Sequence, residues 1–408
     1  MKKIVLTGMG AVTPVGIGVE NYWNNITAGA SGIDTIKTFD PSELAVQIAG
    51  EVKDFNPSDY LPKDLIRKTD PFMQYAYIAA EEAMKQSGIK IEPERTGIVM
   101  GTAMAGIATI AYTQEALTGA SHKKVGPRFI PKILGNIAAA NIAIDYNIQG
   151  PSFTVSTACS SGGDAINTAC MCMQSGKADI MLAVGAESVL CPLVIYSLAN
   201  AKALSRRNDS PSTASRPFDV TRDGFVIGEG GGALVLETEE HALARGAKIY
   251  AEIRGCGNTD DAYHVTAPHP EGRGAIACMK QAIAEAGINP SDIGYINAHG
   301  TATNKGDTVE TSSIKKVFGN TLPYVSSTKG ATGHMMGAGG ITETITCVKA
   351  IETGTVPPTI NLNEVDPECA GIDFVANTAK KAEINFAMSN AFGFGGQNSS
   401  IIVGKYGK

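Results

Sequence analysis

Cys159 lies where a predicted strand meets a predicted helix, a position that can activate a nucleophile. Residues 153–162 read FTVSTACSSG, and small residues join the apolar strand to a helical pattern that runs to Met173. This spacing places Cys159 at a helix N-terminus, where unpaired N–H groups and the helix dipole favour the thiolate. The sequence therefore predicts a nucleophilic thiol. A buried structural cysteine is the alternative, and it fits the other seven cysteines better.

Two histidines follow strand-like segments later in the chain. His299 lies in NAHGTATNKGD beside Thr301 and Thr303, and His334 follows Lys329 in STKGATGH. Ligands in α/β folds bind at the carboxyl ends of strands, so His299 is placed where a ligand would lie. The threonine hydroxyls could bind a polar chain that carries amide groups. We expect both histidines and the lysine to converge on the thiol if the chain is built from two related halves.

A glycine and phenylalanine motif precedes the last predicted strand. Residues 391–398 read AFGFGGQN, which gives a backbone that can approach a substrate and an aromatic ring that can act as a gate. A nucleotide-binding loop is the rival interpretation, but neither GxGxxG nor GxxxxGK[ST] occurs in a strand–turn–helix setting. Cys170 and Cys172 would face different sides of a helix, and no histidine pair has i, i+4 spacing. We therefore predict no metal site.

The composition excludes several classes of protein. The chain has 408 residues, of which 43% are hydrophobic and 18% charged, so it folds rather than staying disordered. A net charge of −6 without long blocks of one sign argues against nucleic-acid binding by phosphate neutralisation. Eight scattered cysteines indicate reduced thiols in a cytoplasm. No apolar run reaches the length of a membrane-spanning helix.

An internal repeat predicts two related halves. Residues 83–103 read AMKQSGIKIEPERTGIVMGTA, and residues 282–302 read AIAEAGINPSDIGYINAHGTA. A second pair of strand-to-helix segments follows, at Val155 and at Val325, with a longer intervening segment in the first half. Alternating helical and strand-like patterns favour an α/β fold with mainly parallel strands. We predict a first half at 1–250, with the nucleophile and a cap insertion, and a second half at 251–408, with the histidines.

The motifs, in this order and at this spacing, resemble the elongating type of β-ketoacyl-(acyl carrier protein) synthase. The resemblance covers essentially the whole chain and includes RPFD at 216–219 and RDGFVIGEG at 222–230. It implies a thiolase-like α/β fold with five layers, α-β-α-β-α, formed by two duplicated halves. It also implies a homodimer and an acyl carrier protein as partner. No cofactor is implied, because the substrates are carried on the phosphopantetheine of the carrier protein.

The resemblance also implies a role for each catalytic residue. Cys159 would take the acyl chain as a thioester, and the backbone N–H groups of Cys159 and Phe394 would hold the oxyanion. His299 and His334 would donate hydrogen bonds to the malonyl thioester carbonyl and stabilise the enolate that forms as CO₂ leaves. Lys329 would pair with Glu310 and set the field around the histidines.

Further residues are implied for substrate and partner binding. Thr301 and Thr303 would bind pantetheine, with Thr266 as a weaker candidate, and Met104 would line the acyl pocket. Carrier proteins are acidic and this chain is net negative, so docking needs a local basic rim. The candidates for that rim are Arg67, Lys68, Lys202, Arg206 and Arg207.

Two alternative functions stay open at this stage. One is a ketosynthase of a type II polyketide or polyene pathway, which the departures at Gly330 and Met335 allow. The other is a noncatalytic heterodimer partner that sets chain length, although such a partner lacks the nucleophile that Cys159 supplies. A degradative thiolase needs a second cysteine in the C-terminal glycine loop, and this chain has none there. Gln397, where the family more often has Thr or His, bears on the gate and on substrate preference.

Overall fold

The computed structural model describes residues 2–119 and 125–408. The helices are α1 (Val19–Thr27), α2 (Lys63–Lys68), α3 (Pro71–Ser87), α4 (Ile107–Gly119), α5 (Phe129–Ile133), α6 (Asn136–Tyr146), α7 (Ser161–Gln174), α8 (Pro192–Asn200), α9 (Pro211–Ala214), α10 (Glu239–Ala244), α11 (Arg273–Ala286), α12 (Asn304–Phe318), α13 (Lys329–Thr332) and α14 (Gly339–Thr353). The strands are β1 (Ile4–Thr13), β2 (Gly16–Ile17), β3 (Asp34–Thr35), β4 (Ile48–Ala49), β5 (Thr96–Gly101), β6 (Ser152–Val155), β7 (Ile180–Glu187), β8 (Gly230–Thr238), β9 (Ala251–Asp260), β10 (Ile293–Asn297), β11 (Tyr324–Ser326), β12 (Thr355–Val356), β13 (Asp373–Phe374), β14 (Lys380–Lys381), β15 (Phe386–Phe392) and β16 (Gln397–Gly404).

The central sheet repeats one strand order twice. It is 12-stranded, with β2 beside β1 and the remaining order β13-β11-β10-β15-β16-β9-β1-β8-β7-β5-β6. Reading outward from β1 to β6, successive neighbours are antiparallel, antiparallel, parallel and parallel. The same directions recur from β9 to β11. The predicted duplication is confirmed, while the division into residues 1–250 and 251–408 stays a prediction.

The prediction of mainly parallel strands is wrong for part of each half. The strands nearest the centre, β1, β8, β9 and β16, run antiparallel to their neighbours. In the second half the reason is the connection, because only a short glycine loop joins β15 to β16. A connection of that length can return the chain antiparallel but cannot make the crossover that a parallel pair needs. The alternation of elements predicted the α/β class but not this mixed sheet.

Helices fill the two outer layers and the central layer. Helix α3 packs on β1 and β8, α11 packs on β9 and β16, and α7 and α14 contact each other between the two halves of the sheet. Gly8 and Gly255 bring the outer helices close. A Cβ atom on Gly8 would lie 2.1 Å from a carbonyl oxygen of α3, and one on Gly255 would lie 2.2 Å from a carbonyl oxygen of α11. The predicted five-layer arrangement is confirmed.

The longer segment of the first half contains α4, α5 and α6, between β5 and β6. Its first residues, Ala103 and Met104, pack against the apolar cluster that includes Leu190 and Cys191. Farther along, Ile130 and Ile144 are 56% and 75% exposed. The edge strand β6 also carries an exposed aromatic ring, Phe153. This part of the protein therefore presents an apolar surface beside an unpaired strand edge.

The cysteines and the helices bear on two expectations from composition. All eight cysteines are free and buried, as expected of reduced thiols. Among the residues that the structure describes, no helix combines the length and the apolarity needed to cross a membrane.

Candidate active site

A strained turn presents Cys159 at the start of the central helix α7. Strand β6 ends at Val155, Ala158 adopts φ 51°, and a short 3₁₀ turn over Ala158–Ser160 leads into α7. A non-glycine residue with positive φ costs free energy, so the surrounding structure must hold this turn in place. Ser161 does so by accepting a hydrogen bond from Thr157 N (2.9 Å) and donating one to Ala158 O (2.7 Å). The predicted position of Cys159 near a helix N-terminus is confirmed.

The protonation of Cys159 differs from the prediction. Burial raises the pKa of the Cys159 thiol to about 11, although the backbone N–H of Phe394 and the positive charge of Lys329 act in the opposite direction. The N–H groups at the helix end favour the thiolate, as predicted, but burial outweighs them in the substrate-free protein. The physical reason is that loss of solvation disfavours the charged thiolate more than the nearby N–H groups and cation stabilise it.

This pKa predicts how Cys159 alkylates. We expect the rate of iodoacetamide labelling at Cys159 to rise about tenfold per pH unit between pH 7 and pH 10, because the reactive thiolate fraction grows in that proportion below the pKa. The rate would be measured by peptide mass spectrometry against pH, with Cys159→Ala protein giving the background from other cysteines. A rate that levels off below pH 8 would instead indicate the helix-stabilised thiolate.

Two imidazole rings share the site with the thiol. The sulfur of Cys159 and one ring nitrogen each of His299 and His334 lie within 4.8 Å of one another. The two rings are nearly perpendicular, with centroids 5.4 Å apart and an interplanar angle of 86°. The expected convergence of Cys159, His299 and His334 is therefore what the structure shows, although the residues belong to different halves of the chain.

One nitrogen of His334 is left to face the cavity as a donor. His334 Nδ1 accepts a hydrogen bond from Met336 N at 3.4 Å, which assigns the ring proton to Nε2. Nε2 is buried and has no hydrogen-bond partner among the residues that the structure describes. A buried, unpaired N–H group is costly. A substrate oxygen that accepted its hydrogen bond would relieve that cost.

Both histidines are neutral at physiological pH. Burial, reinforced by the charge of Lys329, lowers the pKa of His334 well below its usual range, and burial, Lys329 and His334 do the same for His299. A neutral imidazole can donate one hydrogen bond without bringing a full positive charge into the site. These rings are therefore suited to stabilise an oxyanion by hydrogen bonding.

The predicted pairing of Lys329 with Glu310 is wrong. Lys329 Nζ forms its ion pair with Glu343 on α14, and both side chains are buried. Glu310 instead accepts hydrogen bonds from the backbone N–H groups of His299 and Gly300, each at 2.8 Å. Both carboxylate oxygens of Glu310 are thus used to hold the loop that carries His299. Glu310 therefore supports the site by holding the backbone of His299 and Gly300, and not by pairing with Lys329.

The site opens into one cavity of about 1050 Å³, which includes its mouth. The lining contains all four substrate-binding candidates and the catalytic candidates except Lys329, which does not line the cavity. The candidates that line it are Cys159, His299, His334, Phe394, Thr301, Thr303, Thr266 and Met104. Thr301 is buried, Thr266 is exposed, and the hydroxyls of Thr301 and Thr303 lie 3.2 Å apart. The structure therefore places the threonine hydroxyls in the same cavity as the thiol and the imidazoles.

A glycine-rich loop forms the lid of the cavity beside the nucleophile. Phe394 is 38% exposed, and its backbone N–H faces the Cys159 sulfur together with the N–H of Cys159 itself. Gly395 and Gly396 have φ values of 93° and 87°, a region that favours glycine. Gly395 N donates to Val265 O at 2.8 Å, which ties the lid to the loop that carries Thr266.

The five basic candidates for docking differ in whether an acidic side chain lies beside them. Arg67 and Lys68 lie beside Asp64, and Arg207 lies beside Asp223 at 3.7 Å. Lys202 and Arg206 are exposed. Within the described residues, neither of these two takes part in a side-chain ion pair. The structure thus leaves Lys202 and Arg206 as the more available cations of the set.

Sequence reasoning missed several residues that shape the site. Phe225 packs edge-on against His334, with centroids 5.4 Å apart, and Phe392 lies 5.9 Å from the His299 ring. Glu343 and Glu187 are buried carboxylates next to catalytic groups, and no local pattern distinguished them from core residues of their elements. Phe225 and Phe392 lie inside recognised motifs, so the motifs themselves were the only available signal.

The thiol and the two imidazoles also have the ligand types that a zinc ion prefers. Burial near the charged Lys329 opposes a cation at this place, and the cluster has no carboxylate. The prediction of no metal therefore stays a prediction.

Comparisons with known proteins cover the whole length of the chain. The family model described as "Beta-ketoacyl synthase, N-terminal domain" matches residues 1–242, and the C-terminal domain model of that family matches residues 250–363. The 3-oxoacyl-[acyl-carrier-protein] synthase 2 of Coxiella burnetii is 44% identical over 409 residues, covering 99% of each chain. The ishigamide ketosynthase/chain length factor structure has a TM-score of 0.93 at 34% identity and covers 100% of each chain. A type II polyketide ketosynthase, solved in complex with its acyl-carrier protein, has a TM-score of 0.89 at 33% identity, covering 99% of each chain.

Proposed function

Since this chain belongs to the β-ketoacyl synthase family, we propose that it elongates fatty acids by condensing an acyl thioester with malonyl-acyl carrier protein. The protein is an acyltransferase, and its product is 3-oxoacyl-acyl carrier protein. The observation that carries the residue assignments is the meeting of the Cys159 sulfur with two imidazole nitrogens within 4.8 Å in one cavity. A nucleophile and two oxyanion donors at that spacing are what two successive acyl-transfer steps need.

The first step loads the acyl chain onto Cys159. The sulfur attacks the thioester carbonyl carbon of the acyl group on its carrier protein. The carbonyl oxygen becomes negative in the tetrahedral intermediate that forms. The N–H groups of Cys159 and Phe394, which act on the Cys159 sulfur, stabilise that charge in this proposal. When the tetrahedral intermediate collapses, the bond between the acyl carbon and the pantetheine sulfur breaks. The proton lost by Cys159 ends on the pantetheine thiol. Because burial keeps Cys159 protonated, proton removal accompanies attack.

The second step uses the histidines. Malonyl-carrier protein binds with its thioester carbonyl facing His299 and His334, and loss of CO₂ moves an electron pair onto that carbonyl as an enolate. Two neutral N–H donors stabilise the enolate more than the starting thioester. The enolate carbon attacks the Cys159 thioester, and the new carbon–carbon bond forms as the sulfur leaves. The thiolate then takes up a proton, which restores the free thiol.

The other site candidates support these steps. The hydroxyls of Thr301 and Thr303 bind the amides of pantetheine at the entrance, with Thr266 across the same opening. Met104 bounds the acyl chain, and Phe394 gates access. Burial keeps the histidines neutral, and the charge of Lys329 reinforces that effect. The substrates bring their own phosphopantetheine, so the reaction uses no further cofactor.

The partner is an acyl carrier protein, and the chain acts as a homodimer in the cytoplasm. Carrier-protein docking uses the basic candidates, with Lys202 and Arg206 the most available. The edge strand β6, which carries the exposed Phe153, supports pairing with a second copy across a two-fold axis. Eight buried free thiols fit a reducing compartment. Native mass spectrometry of the purified chain should give twice the monomer mass, and a monomer that pairs only with a different ketosynthase subunit would overturn the homodimer.

A condensation assay tests the function directly. Purified protein would be incubated with a ladder of acyl-carrier proteins and malonyl-carrier protein, and products would be identified by intact mass. We expect acyl chains lengthened by two carbons as 3-oxoacyl thioesters, with release of CO₂. Failure with every chain length, while a synthase known to be active succeeds on the same substrates, would refute the proposal.

A polyketide ketosynthase is the second candidate, because a solved type II polyketide ketosynthase is structurally similar over 99% of each chain. It predicts repeated condensation without intervening reduction. The condensation assay distinguishes a fatty-acid synthase from a polyketide ketosynthase. A fatty-acid enzyme stops after one extension when no reductase is present, whereas a polyketide enzyme accumulates products that carry several keto groups.

A further inference from the structure

Glu187 is a buried carboxylate that the condensation mechanism does not use. It ends strand β7, is 0% exposed, and lies close enough to Cys159 that its charge acts on the thiol. Four groups donate hydrogen bonds to it: Thr102 Oγ1 at 3.0 Å, Ala103 N at 2.7 Å, Met104 N at 3.1 Å and Gly337 N at 3.1 Å. Its side chain therefore serves as a four-way acceptor next to the active site.

The donors come from both halves of the chain. Residues 102–104 begin the segment that walls the acyl cavity, whereas Gly337 lies in the turn that leads into α14. A Cβ atom on Gly337 would lie 2.8 Å from Glu187 Oε2 and 2.8 Å from Thr102 Cα. Such close approach requires glycine at 337. Glu187 thus clamps the start of the acyl wall onto the opposite half.

The turn that Glu187 holds also contacts the His334 ring. Met336, which precedes Gly337, donates its backbone N–H to His334 Nδ1, and the side chains of Met104 and Met336 both line the cavity. The wall of the acyl chain and the turn that orients His334 are therefore held by one carboxylate. A shift of residues 102–104 or of the Gly337 turn would change the distance between the cavity wall and the His334 ring.

A charged carboxylate suits this arrangement because all of its contacts are donors. Burial raises the pKa of Glu187 to about 6, while the four hydrogen bonds act in the opposite direction. The group is ionised at neutral pH and accepts at both oxygens. A glutamine of the same shape has only one accepting oxygen, so its NH₂ group would face an N–H donor.

We propose that Glu187 is a positioning residue that fixes the Met104 wall against the Gly337 turn and thereby sets acceptance of long acyl chains. The proposal rests on the condensation described above and adds a determinant of chain-length preference. A long acyl chain contacts the wall and needs it in place. A short chain that ends before Met104 does not.

The test compares Glu187→Gln with wild type on one long and one short acyl-carrier protein. The expected result is a fall of about tenfold or more in the ratio of kcat/KM for the long chain over the short chain, through KM for the long chain. This corresponds to the loss of about one charged hydrogen bond. A purely structural role would lower both values together and leave the ratio unchanged.

Glu229→Gln is the matched control. Glu229 is also buried in the first half and accepts from Val52 N, Tyr75 Oη and Ser188 Oγ, but it lies outside the substrate cavity. We expect the wild-type ratio in this variant, even if its melting temperature falls. A ratio that dropped equally in both variants would assign the effect to general loosening and overturn the proposal.

Thr102→Val keeps the proposal testable if Glu187→Gln does not fold. It removes one donor to Glu187 while keeping the carboxylate, so the long-to-short ratio should fall in the same direction but less. A wild-type ratio in every folded variant, with wild-type enzyme fully active, would refute the role of Glu187 alone. Absence of condensation by the wild type would instead refute the proposed function.

Discussion

Cys159→Ala protein will gain no acyl mass from acyl-carrier protein, and its condensation rate will fall by a factor on the order of 10³ or more. The reason is that the proposed covalent intermediate forms on the sulfur, and the methyl group of alanine cannot form it. Intact-mass spectrometry after incubation with acyl-carrier protein measures the loading, and product mass measures condensation. Wild-type protein should gain one acyl group per chain.

Cys170→Ala is the appropriate control for the loss of a buried thiol. Cys170 lies on the same helix, α7, and is also buried and free, but it is outside the cavity lining. Acyl loading should be retained in this variant. An acyl adduct on another residue of Cys159→Ala protein, or no adduct on wild type, would contradict the assignment of the nucleophile.

Replacing His334 or His299 with alanine will slow malonyl decarboxylation by about 10² to 10⁴-fold and will affect acyl loading much less. Each ring is expected to donate a hydrogen bond to the enolate oxygen, whereas the oxyanion of the loading step faces the N–H groups of Cys159 and Phe394. Release of CO₂ from malonyl-carrier protein reports the first rate. Intact mass of the acyl-enzyme reports the second.

His241→Ala supplies the control for removal of a histidine. Its ring lies beside Glu237 and Glu92 and does not line the cavity. Both steps should proceed at the wild-type rate in this variant. Equal losses of decarboxylation and loading in His334→Ala and His299→Ala would contradict the proposal that the histidines act mainly in decarboxylation.

The duplication and the clustering of Cys159, His299 and His334 were predictable from sequence because their signals are local. A strand, a turn of small residues and a helix follow one another around Cys159, and the same pattern recurs around Lys329. Hydrophobic periodicity and glycine placement specify such units without knowledge of the rest of the fold. The repeat then implied that the second-half histidines face the first-half thiol. The short spacing of Thr301 and Thr303 from His299 placed them in the same entrance.

The ion pair of Lys329 shows what sequence could not supply. Two buried glutamates were available to it, and the one chosen depends on which carboxylate is already occupied in space. Glu310 is taken by the N–H groups of His299 and Gly300, which leaves Glu343 on α14 to pair with the lysine. Motif spacing carries no information about that competition.

The sequence by itself determined the chemistry that the chain can perform: one thiol, two imidazoles, a lysine and a glycine lid, on two halves of the same design. Only the tertiary structure decided their protonation and their support. Burial raises the pKa of Cys159 despite its helix end, and Glu187 joins the segment after β5 to the turn before α14, two places that are far apart along the chain. The physical reason is that desolvation and hydrogen bonding depend on neighbours in space, which the packing of the two halves creates and no local pattern encodes.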